Sequence, residues 1–377
     1  MYIFDASNMG FEDIDFFGES KQNGTPTPTS PIPIESKIVN RVDVLGKNWL
    51  KFSQGSTTID GITFTVNANK SVTVNGTATE DAVLLLTTST RGEVDLKRLT
   101  GKNIILSGCP KGGSSSTYRF QFWSDSKMAV DTGSGATLDL STVPESWNFA
   151  ISIISGTTVN NLTFKPMIRL ASITDDTYEP YQSQTVNLSA PIELNGIGGV
   201  RDTDKLKKFG VVVLDGSQTM ILNRGSATGT SGSRRFQITC LSGKPSANTS
   251  DQVKANALCD QAIISTGSNT YLAKNQDDIF SIEGSFVCLR LKGIATLEDM
   301  KAKLQAHPMT VVYELAEPIE TELPQADINA IKALHSYKPN TVVMNDADAE
   351  MDVSYVADPR LYVDKKFEAL ASAIVNQ

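Results

Sequence analysis

The residues that could carry out chemistry in this chain are few and scattered. Its two histidines, His307 and His335, have no Cys, His or carboxylate beside them at metal-ligand spacing, so the sequence predicts no metal site and no cofactor. It contains no GxSxG nucleophile elbow and no Walker A loop. The glycine-rich GIGGVRD (residues 196–202) follows a proline-broken segment and fits no dinucleotide-binding unit. We therefore predict no catalytic residues.

Paired carboxylates are the remaining route to hydrolytic chemistry. Asp175-Asp176 and Asp277-Asp278 are adjacent pairs, and a glycosidase needs two positioned acids. Adjacent acids on a loop are usually solvated, and no pair stands out among the others. A polysaccharide depolymerase therefore stays an alternative without assigned residues.

One aromatic residue has the position of a ligand contact. In TYRFQFW (residues 117–123), Phe120 and Phe122 share a face by strand alternation, so Trp123 falls on the other face. Trp123 lies next to a polar turn containing Asp125, and a tryptophan beside an acid is a platform for the apolar face of a sugar. Trp123 and Asp125 are the ligand-binding candidates. The alternative is that Trp123 packs under a loop or against a neighbouring chain.

Composition excludes several classes of protein. The 377 residues carry a net charge of −8, which argues against a nucleic-acid binder because phosphate contacts need clustered Lys and Arg. No apolar run approaches the roughly 20 residues of a membrane span, and the N-terminus lacks the basic region of a secretory signal. Scattered cysteines without a CxxC pair predict small core residues; they are Cys109, Cys240, Cys259 and Cys288.

The first 36 residues combine an acidic, aromatic opening with a proline-rich strap. Four prolines within residues 21–36 favour an extended segment without a helix. Such a segment buries little apolar area, so we expect residues 1–36 to be an attachment segment that orders mainly against a partner. Its anchors would be Phe11, Phe16 and Phe17.

Residues 37–184 predict a jelly-roll-like β-sandwich that folds on its own. GITFTV and SVTVNG alternate around a NANK turn and indicate a hairpin, and further short strands follow between Gly- and Ser-rich loops. WNFAISII places Trp147 in phase with Phe149, which predicts a core position. Little helical periodicity occurs in this stretch, so the prediction is all-β.

Residues 185–204 are a predicted linker, and residues 205–357 a second β-rich domain with helical inserts. TLEDMKAKLQAHP has the cap candidate Thr296, with Asp299 three residues on and Pro308 after its end. ADINAIKALHSYKP places apolar residues on one face, including Ile331 and Leu334. Both histidines lie near the predicted helix ends, which favours capping or packing roles.

The last predicted segment, residues 358–377, is a C-terminal helix that begins at the cap Asp358. Its apolar residues form a short heptad pattern. That pattern fits either a helix docked on its own domain or a short bundle around a symmetry axis. The residues of the pattern, which are the assembly candidates, are Val363, Phe367, Leu370 and Ile374.

Several phrases together resemble tail or baseplate-associated structural proteins of phages and prophages of Firmicutes. The resemblance covers residues 21 to 374, whereas residues 1–17 lie outside the shared phrases. The phrases are QNGTPTPTSPIPIES, GITFTVNANKSVTVNGTAT, LTFKPMIRLASITDDTYEPYQ, VVVLDGS, MTVVYELAEPIETEL and ADINAIKALHSYKPNTVVMNDADAEMDVSYVAD.

The resemblance implies a carbohydrate-binding-module-like jelly roll that ends at the YEPY phrase. It also implies a virion protein of the tail fibre or baseplate type, made in the host cytoplasm, which contacts other virion proteins and forms a homotrimer. Host-surface polysaccharide is the expected ligand and no enzyme activity is expected. The alternatives are a decoration or spacer fibre without a ligand and the depolymerase.

Overall fold

The computed structural model describes residues 1–5, 10–222, 232–241, 256–265, 272, 276–283, 285–337 and 340–355. Twenty-eight strands, two α-helices and one 3₁₀ helix lie in these ranges. The expectation of a mainly β fold with helical inserts is therefore confirmed. The predicted C-terminal helix at residues 358–377 lies outside the described residues.

The strands are numbered in chain order, and the 3₁₀ helix (Leu96–Leu99) lies between β8 and β9. The first fifteen are β1 (Tyr2–Asp5), β2 (Phe11–Phe17), β3 (Ser20–Lys21), β4 (Glu35–Gly46), β5 (Thr57–Ile59), β6 (Ile62–Val66), β7 (Val72–Thr77), β8 (Ala82–Thr88), β9 (Asn103–Ser107), β10 (Tyr118–Ser124), β11 (Met128–Asp131), β12 (Ala136–Asp139), β13 (Trp147–Ile153), β14 (Thr158–Phe164) and β15 (Met167–Leu170).

The remaining strands surround the two helices, α1 (Leu297–Ala306) and α2 (Gln325–Lys332). They are β16 (Ser183–Leu194), β17 (Gly196–Ile197), β18 (Val200–Arg201), β19 (Leu206–Leu214), β20 (Thr219–Leu222), β21 (Phe236–Thr239), β22 (Ala257–Cys259), β23 (Ile263–Ile264), β24 (Ile279–Glu283), β25 (Phe286–Arg290), β26 (Met309–Glu320), β27 (Asn340–Asn345) and β28 (Glu350–Tyr355).

Strands β5 to β15 form the first sandwich. A four-stranded sheet, ordered β11-β10-β13-β8, shares one core with the sheets β14-β7-β6-β5 and β12-β9-β15. Alternation turns Phe64, Phe120 and Phe149 into this core, where each is 0% exposed. Trp147 is buried against Phe149, as its phase predicts. The predicted hairpin is also present, because β6 pairs antiparallel with β7.

An acidic strap, residues 171–182 between β15 and β16, neutralises a buried lysine. Lys47 is 0% exposed, and its Nζ lies 2.5 Å from Oδ2 of Asp175 and 2.7 Å from the hydroxyl of Thr177. Glu179 lies 4.0 Å from the same ammonium. Burial opposes ionisation of Asp175, but hydrogen bonds from Lys47 and Thr177 outweigh it and lower the pKa of Asp175 to about 2. The acidic strap is therefore held in place by ion pairing and hydrogen bonding to Lys47.

The second core lies between two more sheets, β19-β26-β22 and β20-β21-β25-β24-β23. Helix α1 adds buried side chains, and its cap is the predicted Thr296, whose hydroxyl accepts from the Asp299 amide at 3.1 Å. The proline-rich strap packs along this region. The side-chain amide of Gln22 donates to the Cys259 carbonyl at 2.9 Å, and the backbone amide of Ile32 donates to the Asp260 carbonyl at 2.8 Å.

A third core joins the two ends of the described chain. Strand β1 pairs with β27 and β2 pairs with β28, both antiparallel, while β27 also pairs with β4. Phe11, Ile14 and Phe16 are 4%, 1% and 0% exposed in this core. The expectation that residues 1–36 order mainly against a partner is therefore wrong for β2, because its apolar side chains pack in a core shared with β28, more than 300 residues along the same chain.

The segment boundaries predicted from the sequence agree only in part with the three cores of the structure. The predicted sandwich start at residue 37 falls inside β4, whose Val39, Val42 and Val44 belong to the third core. Strand β16 continues the same sheet beside β4, although residues 185–204 read as a linker. The register of β16 against β4 shifts between Asn187 and Ile192.

Candidate functional site

The face of the four-stranded sheet that points away from the first core contains the sequence-predicted Trp123. This face is partly covered, since Gln121, Ala150 and Ser152 on it are buried. Strand β10 buries Phe120 and Phe122 at 0% exposure and presents Trp123, half-buried, on the opposite face. The predicted phase is therefore confirmed. Across the neighbouring strands, Trp123 lies opposite Asn148 of β13 and Met128 of β11.

A hydrogen-bonded polar row continues this face along β10. The guanidinium of Arg119 donates from Nε to Gln121 Oε1 at 2.6 Å, and the Gln121 amide donates to the Ser152 hydroxyl at 2.9 Å. One terminal nitrogen of Arg119 also donates to the Ser115 carbonyl at 2.8 Å. These bonds fix Arg119 and Gln121, both on the Trp123 side of the strand, in defined positions.

Asp125 and Met128 flank the tryptophan at the β10–β11 turn. The turn is closed by the Ser124 amide, which donates to the Lys127 carbonyl at 2.9 Å. Asp125 is exposed at its tip, and its carboxylate accepts no hydrogen bond from the part of the chain that the structure describes. Met128 is 63% exposed beside Trp123. An apolar platform and polar groups thus lie together, as sugars require.

The sequence analysis did not single out four residues of this face, although strand alternation assigns them to it. Arg119 and Gln121 have the parity of Trp123, and Asn148 and Ser152 alternate with the core residues of β13. The alternation rule that places Trp123 on this face also places these four side chains on it. What it does not predict is the register that sets β10 beside β13.

The other residues that could take part in catalysis or metal binding have structural roles. Asp175 pairs with Lys47, Asp277 accepts from the Ser233 hydroxyl, and Asp278 accepts from the Lys292 amide. His307 caps the end of α1 and His335 follows α2, as predicted. Within the described ranges no three His, Cys, Asp or Glu residues are grouped as a metal site, and none of the helices is long and apolar enough to cross a membrane.

The cysteines are small core residues for the most part, as predicted. Cys109, Cys259 and Cys288 are buried, Cys240 is partly buried, and all four are free thiols. Burial raises the pKa of Cys109, Cys259 and Cys288 to about 12. These thiols are therefore protonated near neutral pH.

The assembly candidates divide into three groups. Phe11 and Phe16 lie in the third core, so the prediction that they anchor a partner is wrong. Phe17 is half-exposed beneath the guanidinium of Arg201, which lies 5.3 Å from its ring centre, and it stays a prediction. The heptad residues Val363, Phe367, Leu370 and Ile374 lie outside the described residues.

Comparison of the chain with protein-family models, with curated proteins and with solved structures found no match.

Proposed function

We propose that this chain is a non-enzymatic virion structural protein of the phage tail fibre or baseplate type. In this proposal it is made in the host cytoplasm and becomes part of the particle. Its first sandwich contributes to adsorption by binding a host-surface glycan. The phrases quoted from the sequence support the class of protein, and the face around Trp123 supports the ligand.

The observation that carries the glycan proposal is the half-buried Trp123 on the same face as Arg119, whose position is fixed by hydrogen bonding to the buried Gln121. A sugar ring stacks its C–H face on an indole and offers hydroxyl groups at its rim. Asn148, opposite Trp123, supplies a donor at that rim, and Arg119 supplies donors further along the same face. The binding energy of one such site is small, so several copies acting together would be needed for firm adsorption.

A binding assay with host cells and purified host-surface polysaccharide tests this proposal. Trp123→Ala and Arg119→Ala should abolish or strongly weaken binding, because they remove the platform and a donor. The matched control is Thr63→Ala, on the exposed face of the opposite sheet, which should bind like the wild type. Equal binding by the wild type and Trp123→Ala would overturn the glycan site.

The same assay separates the alternatives. A spacer or decoration protein would bind neither cells nor polysaccharide in the wild-type form. A depolymerase would release reducing ends from the polysaccharide. Immuno-electron microscopy with antibodies to the chain would show whether it lies on the tail of the particle, and absence of label from particles would contradict a virion protein.

We also propose that the chain is a homotrimer that contacts other virion proteins. Exposed apolar side chains on the second β region support an assembly surface: Val211 and Val213 are 47% and 49% exposed on β19, and Ile221 is 52% exposed on β20. Light scattering should give a trimeric mass at micromolar concentration. A monomeric mass would contradict this part of the proposal.

A further inference from the structure

A cavity of about 580 Å³ lies where four distant parts of the chain meet. Strand β2, the start of β19, the end of β26 and helix α2 contribute its walls. Ile14, Leu206 and Ile331 supply part of an apolar wall, and the volume falls in the range of small-ligand sites. The cavity has room for a side chain or a small organic molecule.

The polar lining of this cavity is strongly acidic. Five carboxylates line it, against the two lysines Lys205 and Lys332. Lys205 already forms ion pairs with Asp13 and with Asp15, a neighbour of the cavity. Among the described residues of the lining, Lys332 is the other cation. The remaining carboxylates are Glu12, Asp204, Glu320 and Glu322, and the charge of Lys205 also acts on Asp204.

Asp204 is the least exposed of these acids. It is 4% exposed, and its Oδ1 accepts the Phe16 amide at 2.9 Å. Its second oxygen, Oδ2, accepts no hydrogen bond from any residue in the described ranges. Burial raises the pKa of Asp204, while the Phe16 amide and the charge of Lys205 act to lower it. A cation inside the cavity would meet the Oδ2 atom that accepts no hydrogen bond from the described residues.

We propose that this cavity binds a primary ammonium or guanidinium group carried on an aliphatic stem. The charged head would meet Asp204, with Glu320 and Glu322 nearby, because charge-assisted hydrogen bonds to carboxylates are the strong ones. The stem would lie along Ile14 and the neighbouring apolar wall. Two sources offer this chemistry: a free aliphatic amine, and a lysine or arginine side chain of a partner protein.

The proposal is independent of the glycan site, since no residue of the Trp123 face lines the cavity. Titration calorimetry with the full-length chain tests it with n-pentylamine as the probe. 1-Pentanol and pentanoate have the same stem with a neutral or negative head. Only n-pentylamine should bind. Binding of the alcohol as tight as that of the amine would overturn the assignment.

Asp204→Asn tests the role of the buried carboxylate. The amide oxygen of the new side chain can still accept the Phe16 amide, so the fold should persist, which thermal unfolding checks. The variant should bind n-pentylamine about tenfold more weakly or worse, since an ionised acceptor is lost. Asp60→Asn, which removes an exposed carboxylate on the first sandwich, is the matched control and should bind normally. Unchanged affinity in Asp204→Asn would overturn the proposal.

Two further arms keep the test decisive. If Asp204→Asn does not fold, the exposed pair Glu320→Gln and Glu322→Gln, made together, should weaken n-pentylamine binding about threefold through lost charge attraction. An unchanged affinity in that double variant overturns the proposal.

A short acetylated, amidated peptide with a central lysine distinguishes a partner side chain from a free amine as the source of the cation. Tighter binding of the peptide than of n-pentylamine supports a partner side chain, and the reverse supports a free amine.

Discussion

The Trp123 face and the Asp204 cavity are built in opposite ways. The face lies on consecutive strands of one sheet, and its residues fall between positions 119 and 152. The cavity collects residues from positions 12 to 332, taken from four elements. The face carries one cation, Arg119, and the acid Asp125 at its edge, whereas carboxylates dominate the cavity lining.

The difference follows from the cores beneath the two sites. Among the described residues, the first sandwich draws most of its core from residues 45–173, with Val342 and Met344 buried in it and Met1 and Tyr181 packed against it. The third core has no such continuity, because β2 is covered by β28 and α2. Where the core is built from one continuous stretch of sequence, strand alternation predicts which side chains form the site above it. Where the core is built from distant segments, the site forms only when those segments pack together.

The largest expected effect tests whether β2 belongs to the fold. Phe16 is 0% exposed in the third core, so Phe16→Ala should lower the free energy of unfolding by about 4 kcal/mol, through lost burial and an unfilled cavity. Chemical denaturation of the full chain measures it. Its neighbour Phe17 is half-exposed, so Phe17→Ala should cost far less. Equal, small losses would mean that β2 does not dock on β28.

The next effect concerns the lysine beneath the acidic strap. Lys47→Ala removes the counter-charge of Asp175 and Glu179 and should destabilise the chain by about 3 kcal/mol, because the fully buried lysine stem leaves a cavity and the two partly exposed carboxylates lose their partner. Thermal unfolding is the measurement. Lys51→Ala is the control, since Lys51 is exposed and only approaches the ring of Tyr181, at 5.8 Å. A Lys47 variant as stable as the Lys51 variant would contradict the buried pair.

A smaller effect is the acid sensitivity of the same strap. The pKa of Asp175 is about 2 in the folded chain against an ordinary value of 3.8, so its ionised form is favoured by folding. This contribution is fully present above pH 3.8 and is lost as the pH falls toward 2. The wild type should therefore melt at a higher temperature than Asp175→Asn near neutral pH. The two should converge within that acid window, and a constant gap would contradict the assignment.

The sequence predicted the local features of this protein well. Alternation in β10 and β13 assigned Phe120, Phe122, Trp123 and Trp147 to their correct faces, and Thr296 marked the start of α1. Each of these rests on side-chain periodicity or capping within a few residues. The mainly β class follows from the same signals.

Long-range pairing was beyond those signals. The acidic charge of the N-terminal segment suggested a free strap, but Ile14 and Phe16 alternate toward a core that forms only with β28. Lys47 and Asp175 show the same limit, because no local pattern joins residues that lie 128 positions apart. Asp204 was not a candidate for this reason. Its environment comes from β2, which reaches it across 188 positions.

The smallest expected change is the effect of Trp123→Ala on stability, and it is the most direct test of the two-faced strand. Trp123 is half-buried on the polar face, so its removal should lower the free energy of unfolding by less than about 1 kcal/mol. Phe122, the preceding residue, is 0% exposed, and Phe122→Ala should lose about 4 kcal/mol. Chemical denaturation of both variants gives the comparison. A loss for Trp123→Ala close to that of Phe122→Ala would mean that the indole supports the core and is not held ready for a ligand, whatever the binding assay shows.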